Sequence, residues 1–240
     1  MRALLAAGGI SLFISLFATP AFIALFRSLN WGQFIRDDGP EAHHTKRGTP
    51  TMGGIVILFA AVAGYFTAKL INGETPSASA LLVLFMMVGL GLIGFIDDYL
   101  KVKNQRSLGL GGWAKIGGQG IVAVAFAILA LQFPDEKGLT PASTSISLFR
   151  DLPLDLFCWG SFIGMALFIG WVYLLVASAS NGVNIADGLD GLASGSLVIS
   201  MGAYVVIGFW QFNQSCATVT QNLASCYQVR DPLDLAVVAT

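Results

Sequence analysis

Long uninterrupted apolar blocks alternate with short polar segments along this chain. The blocks cover residues 3–26, 53–70, 78–96, 118–133, 157–178 and 192–212, and a further apolar stretch begins at Leu233. A run of about 18 or more apolar residues has the length of a helix that crosses a bilayer. The pattern therefore predicts an all-α fold, a polytopic transmembrane helix bundle with six complete spans and the start of a seventh. The block at 118–133 is the shortest. The first block could be a secretory signal, but signal cores run about 7–15 residues. This one continues past Ala18-Thr19-Pro20-Ala21 to Phe26, with only Arg2 before it, so a span is the better reading.

Composition agrees. The chain is 55% hydrophobic and 11% charged, whereas a soluble domain is about a quarter charged. A water-soluble globule is excluded. With no internal repeat, no low-complexity tract and no soluble domain, residues 1–240 read as a single transmembrane domain. The segment 134–156, rich in Pro, Ser and Thr, reads as an irregular extramembrane loop.

Net charge is -1 and says little; its distribution says more. Short cytoplasmic loops are enriched in Lys and Arg. Arg27, Arg36, Lys46 and Arg47 follow the first span, and Lys101, Lys103, Arg106 and Lys115 follow the third. Segments on the other side carry mainly acids, among them Glu74, Asp135, Glu136, Asp151, Asp155, Asp231 and Asp234. The cytosolic loops are then about 27–52, 97–117 and 179–191, and the N-terminus faces outward. Cys158, at the start of a span, reads as a buried small hydrophobe. Cys216 and Cys226 share the last outer loop, where an oxidising compartment permits a disulfide; a bridge and two free thiols both stay open. Asn213-Gln214-Ser215 in that loop fits a glycosylation sequon, a pattern common by chance.

Three polar segments on the cytosolic side carry candidate chemistry. The first, His43 to Gly54, leads into the second span. A helix N-terminus offers unpaired N–H groups and the positive end of the dipole. Lys46 and Arg47 add charge, Thr49 and Thr51 add hydroxyl donors, and Gly53 and Gly54 allow close backbone approach. Together they suit a pyrophosphate; the plainer reading is a basic anchor that sets topology. In the second, Asp97 and Asp98 close the third span. Two carboxylates at a helix C-terminus are unfavourable unless Mg²⁺, or Lys101, Lys103 and Lys115, compensates them. Mg²⁺ typically takes one or two carboxylates plus substrate phosphates. The plainer reading is a solvated helix end. In the third, Asn181 to Gly191, Asp187 and Asp190 stand three apart, as do Asn181 and Asn184, so each pair shares a face if the segment is helical. The plainer reading is a turn-rich loop.

These segments closely resemble the bacterial phospho-N-acetylmuramoyl-pentapeptide-transferase family. The resemblance rests on His44-Thr45-Lys46-Arg47-Gly48-Thr49-Pro50-Thr51-Met52-Gly53-Gly54, on Asp97-Asp98-Tyr99-Leu100-Lys101, and on the run from Asn181 to Ala193. It spans essentially the whole chain, in order. It implies a ten-helix enzyme of the bacterial inner membrane that moves phospho-MurNAc-pentapeptide from its UDP precursor to undecaprenyl phosphate. Lipid I and UMP are the products, Mg²⁺ is the cofactor, and the step is the first membrane step of peptidoglycan synthesis.

By position, Asp97 and Asp98 match the family's catalytic acidic pair and are candidate metal ligands. Asn181, Asp187 and Asp190 match its polar loop, with Asn184 beside them, and Lys46, Thr51, Lys101 and Lys115 match substrate-phosphate positions. The implied partners are UDP-MurNAc-pentapeptide, undecaprenyl phosphate and the lipid bilayer, with no nucleic acid; a homodimer is left open. The family pattern continues beyond Thr240 for about four more spans, which carry its main metal aspartate and a histidine-rich loop. On that ground the chain is expected to be an N-terminal portion, inactive by itself. A related GlcNAc-1-phosphate transferase is the nearest alternative, and the Thr-Met-Gly-Gly string argues against it. A transporter would place ionisable groups within its spans, and a scaffold would not need three polar loops on one face.

Overall fold

The computed structural model describes residues 2–29, 31–32, 50–106, 108–147, 151–186, 191–216, 226 and 229–240. Its elements are α1 (Arg2–Ser28), α2 (Gly54–Asn72), α3 (Ala78–Lys103), α4 (Gly112–Ala130), β1 (Ser145–Ser147), β2 (Asp151–Asp155), a 3-10 turn (Leu156–Trp159), α5 (Ser161–Ala186), α6 (Leu192–Asn213) and α7 (Pro232–Val238). Helices α1 to α6 are each long and apolar enough to cross a membrane. The all-α polytopic class predicted from the blocks is what the chain forms. Large apolar side chains such as Phe13, Phe162 and Ile199 point outward, as suits a surface whose solvent is hydrocarbon rather than water.

The chain divides into two compact units. One comprises residues 1–74 and 87–118. Here α1 and α2 meet through small residues. Ala3, Ala7, Ala60 and Ala68 are buried, and a Cβ on Gly64 would lie 2.9 Å from the Ala7 carbonyl oxygen and overlap Ser11 Oγ. Small residues let membrane helices approach backbone to backbone, where dispersion rather than water exclusion holds them. Gly91 of α3 receives Leu58 of α2, and Gly118 of α4 receives Ile93 of α3. Helix α2 ends at Gly73, whose φ of 67° is left-handed; its N–H donates to Leu70 O and that of Glu74 to Lys69 O, the capping arrangement that glycine favours.

The other unit comprises residues 75–86 and 119–240. Ala123 and Ala127 of α4 and Phe168, Val172 and Val176 of α5 are among its buried residues. Gly208 of α6 accepts α7, since a Cβ there would lie 2.7 Å from the Pro232 carbonyl oxygen. Asp234 Oδ2 accepts from Ser77 N at 3.0 Å, and Asp231 Oδ2 from Ser79 Oγ at 2.8 Å. These bonds tie the start of α3 to the α7 segment.

Four expectations change. Helix α3 runs on to Lys103, so Asp97 and Asp98 lie inside its last two turns and do not end it. Lys101, four and three residues further along, pairs with both, and cations in a last turn suit the dipole. Within 134–156, β1 and β2 pair as an antiparallel hairpin, Ser145 opposite Asp155 and Ser147 opposite Asp151. Cys158 is exposed rather than buried, because it falls in the 3-10 turn ahead of α5. Cys216 and Cys226 are joined in a disulfide, which settles the open pairing.

Candidate functional site

Asp97 is the best-enclosed carboxylate of the described polar segments. Its side chain is 8% exposed. Oδ2 lies 2.8 Å from Lys101 Nζ and 3.3 Å from Lys115 Nζ. Oδ1 accepts the backbone N–H of Leu110 at 2.8 Å. One helix thus supplies the carboxylate and a lysine one turn later, and α4 supplies the second lysine from its first turn. The connecting segment folds back over Asp97, and the return depends on Gly109. A Cβ there would lie 2.5 Å from Asp97 Oδ1 and 2.6 Å from Asp97 O, too close for any side chain.

Asp98 differs. It is 35% exposed and its Oδ1 pairs with Lys101 at 2.9 Å. Lys101 therefore bridges both acids, while Lys115 serves Asp97. Adjacent residues on a helix point about 100° apart, which is why Asp97 can meet both lysines while Asp98 meets Lys101. Tyr99 packs edge-on against Trp31, with ring centroids 5.8 Å apart, and Trp31 stacks on Phe26 at 5.4 Å. This aromatic stack holds the segment after α1 against the acid-bearing turn. Lys103 sits over the Tyr99 ring, 6.0 Å from its centroid.

At the start of α2, Met52 is buried and takes a left-handed φ of 67°. Its carbonyl accepts the N–H of Ile55, and that of Gly53 accepts Val56 N–H. Thr51 Oγ1 is buried without a hydrogen-bond partner, an unused polar atom beside the first turn of a helix. On α5, Asn181 and Asn184 are exposed and helical. Asn181 Nδ2 donates back to Ala177 O at 2.8 Å. Lys46, Asp187 and Asp190 lie outside the described residues, as do His43 and His44. Thr240 itself is engaged locally, its Oγ1 donating to Val237 O at 2.7 Å where α7 closes.

The structure thus brings together Asp97, Asp98, Lys101 and Lys115 in one unit, with Thr51 in the same unit; Asn181 and Asn184 belong to the other. The roles of Gly109 and of the Leu110 amide were not foreseen. The sequence offered one signal, the glycine-rich run Gly109-Leu110-Gly111-Gly112 between the acid pair and Lys115. Gln119 is a third unforeseen residue. It is buried in α4, and its Nε2 donates to Ser180 Oγ on α5 at 2.9 Å.

Two family patterns match the chain. Glycosyl transferase family 4 covers residues 80–228, and phospho-N-acetylmuramoyl-pentapeptide-transferase signature 1 covers residues 46–58. Proteins named phospho-N-acetylmuramoyl-pentapeptide-transferase align along the entire chain. That of Clavibacter sepedonicus is 63% identical with 67% of its own length covered, that of Kineococcus radiotolerans 55% with 66%, and that of Streptomyces avermitilis 53% with 66%. The chain spans about two thirds of the length of these curated relatives. Signature 1 takes in Thr51-Met52-Gly53-Gly54, the residues that form the turn into α2, and the family 4 match takes in the acid-bearing end of α3 and the Asn181 segment. The chain therefore belongs to glycosyl transferase family 4 and, within it, to the phospho-N-acetylmuramoyl-pentapeptide-transferases.

Proposed function

We propose that the protein transfers phospho-MurNAc-pentapeptide from its UDP precursor to undecaprenyl phosphate, releasing UMP and forming lipid I. The observation that carries this reading is Asp97 enclosed between Lys101 and Lys115. An oxygen of the lipid phosphate attacks the β-phosphorus of the donor. The bond from that phosphorus to the bridging oxygen breaks, and UMP leaves with the oxygen and its charge. Catalysis of such a step is mostly positioning and stabilisation of charge. Asp97 holds the two lysines in place, and their remaining N–H donors serve phosphate oxygens. Asp98, the more exposed acid, positions the attacking lipid phosphate. The turn Thr51 to Gly54, with its spare hydroxyl and the N-terminus of α2, is suited to a second phosphate group. Asn181, Asn184, Asp187, Asp190 and Lys46 are assigned to the donor on the family resemblance.

Mg²⁺ is the cofactor the family resemblance implies. Among the described residues no three His, Cys, Asp or Glu side chains gather into a metal site. Asp97 does not fit as a ligand, because its oxygens face two ammonium groups and an amide.

We also infer an inner-membrane location with the N-terminus outside. The Cys216–Cys226 disulfide supports it, since such bonds persist on the oxidising side and six helices return the chain to the side where it began. In the full-length protein, assayed for lipid I and UMP, Asp97→Asn and Asp98→Asn should each lower turnover by about 10²-fold or more at unchanged expression. Near-normal turnover in both variants would remove the pair from the reaction.

A further inference from the structure

We propose that Gln119 is a positioning residue for the transfer reaction, fixing the Asn181–Asn184 end of α5 through Ser180. The inference rests on the reading above, in which that segment belongs to the donor site.

Gln119 is only 4% exposed, an unusual place for a long amide in a membrane helix. Its Nε2 donates to Ser180 Oγ, while its Oε1 is buried with no hydrogen-bond partner. A leucine has nearly the same volume and would fill the site without burying an unmatched carbonyl, a group that costs stability wherever it lacks a donor. Packing alone therefore does not account for a glutamine here. The next residue, Gly120, leaves Tyr173 of α5 at ordinary contact distance, 3.6 Å from where a Cβ would stand, so the two helices come close enough for the amide to reach.

Among the described residues, little else holds the end of α5. Asn181, Gly182, Val183, Asn184 and Ile185 are all exposed. The last turn carries no basic residue, and the Asn181 amide donates back within its own helix, to Ala177 O. Among the described residues, Gln119 to Ser180 is the one side-chain hydrogen bond from another helix to this end of α5. Ser180 directly precedes Asn181, so the bond fixes both how far α5 projects and which way its polar face turns. A shift of about 1 Å in a positioning group can cost about 10²-fold in rate.

The test compares Gln119→Leu, Ser180→Ala and the double variant in the full-length protein. It reads kcat and KM for the UDP precursor, thermal unfolding, and hydrogen exchange of the amides at 181–186 without substrate. Contact partners give non-additive effects. We expect each single change to lower kcat/KM by about 10²-fold, the double change to lower it no further, and exchange at 181–186 to quicken in all three. Ser180→Thr, which keeps the hydroxyl, should restore both readouts. Losses that add, exchange that stays as in the unsubstituted protein, or a Ser180→Thr protein as impaired as Ser180→Ala would overturn the proposal. Should Gln119→Leu not fold, Ser180→Ala and Ser180→Thr decide the matter alone. An unsubstituted full-length protein with no transferase activity would refute the functional reading instead, and the exchange measurement would still judge the tether.

Discussion

Lys115 Nζ, on the first turn of α4, stands 3.3 Å from Asp97 Oδ2, near the last turn of α3. The contact converts an acid in an unfavourable place into an organised one. A carboxylate near a helix C-terminus opposes the dipole there, and its burial adds a desolvation cost. Two ammonium groups and one amide offset both effects, and the lysines are oriented in return. Lys115 is also the partner whose loss disturbs the fold least, because Asp97 keeps Lys101 and the Leu110 N–H. Lys115→Ala should therefore leave expression and thermal unfolding close to normal while lowering kcat by about 10²-fold. A steady-state assay of UMP release on the full-length variant checks this, and an unaltered kcat would show that the lysine serves Asp97 alone.

Gly109 is where the α3–α4 connection touches that carboxylate. A methyl group at this position would stand 2.5 Å from Asp97 Oδ1, so the segment must move and take the Leu110 amide with it. Overpacking of this kind costs about 1–3 kcal/mol, and the lost N–H leaves Oδ1 short of its donor. Gly109→Ala should lower transferase activity at least as far as Lys115→Ala, with a modest fall in unfolding temperature. Gly111→Ala, where a Cβ meets nothing within 4 Å, is the companion variant and should retain most of the activity. Equal rates in the two variants would exclude the steric account.

The spans were readable because a membrane helix announces itself through length and apolarity alone, and each block became a helix. Helix ends were harder to read. Asp97-Asp98 looked like a terminus because the apolar run stops at Ile96, yet the helix continues through Lys101, which neutralises both acids at one-turn spacing. For Asn181 and Asn184 a shared helical face and a turn-rich loop are both open in the sequence, and α5 carries them to Ala186. The hairpin was hidden by composition. Ser145-Ile146-Ser147 and Asp151-Leu152-Pro153-Leu154-Asp155 do alternate polar and apolar, but the strands are short and one contains a proline, which is tolerated on an edge. The candidate site was legible as residue types, because Asp, Lys and Gly were all present at suggestive positions. Its wiring was not, since the Lys115–Asp97 and Gln119–Ser180 contacts join different helices and leave no local spacing to read.

Orientation can be tested with the cysteines as they stand. Cys158 is free and exposed just ahead of α5, on the outer side in the proposed topology, whereas Cys216 and Cys226 are bonded to each other. A membrane-impermeant maleimide applied to intact spheroplasts should label Cys158, and reduction beforehand should expose Cys216 and Cys226 to it as well. Labelling of Cys158 only after the membrane is permeabilised would reverse the orientation and move the acid pair and its lysines to the outer face.

The contact between α1 and α2 offers a test of packing that does not involve catalysis. Gly64 lies against Ala7 and Ser11, where a Cβ would stand 2.9 Å from a backbone oxygen that cannot rotate away. Gly64→Ala should push the helices apart and destabilise the protein by about 1–3 kcal/mol, read as a lower unfolding temperature in detergent. Gly9 of α1 has nothing within 4 Å of its would-be Cβ. Replacing a helical glycine by alanine at an open site removes backbone freedom from the unfolded chain and favours the helix by about 0.5–1 kcal/mol. Gly9→Ala should thus leave the unfolding temperature unchanged or raise it. The two substitutions are chemically identical and sit on neighbouring helices, so their difference isolates the contact. If both shift stability in the same direction and by the same amount, the close approach at Gly64 does not hold α1 to α2.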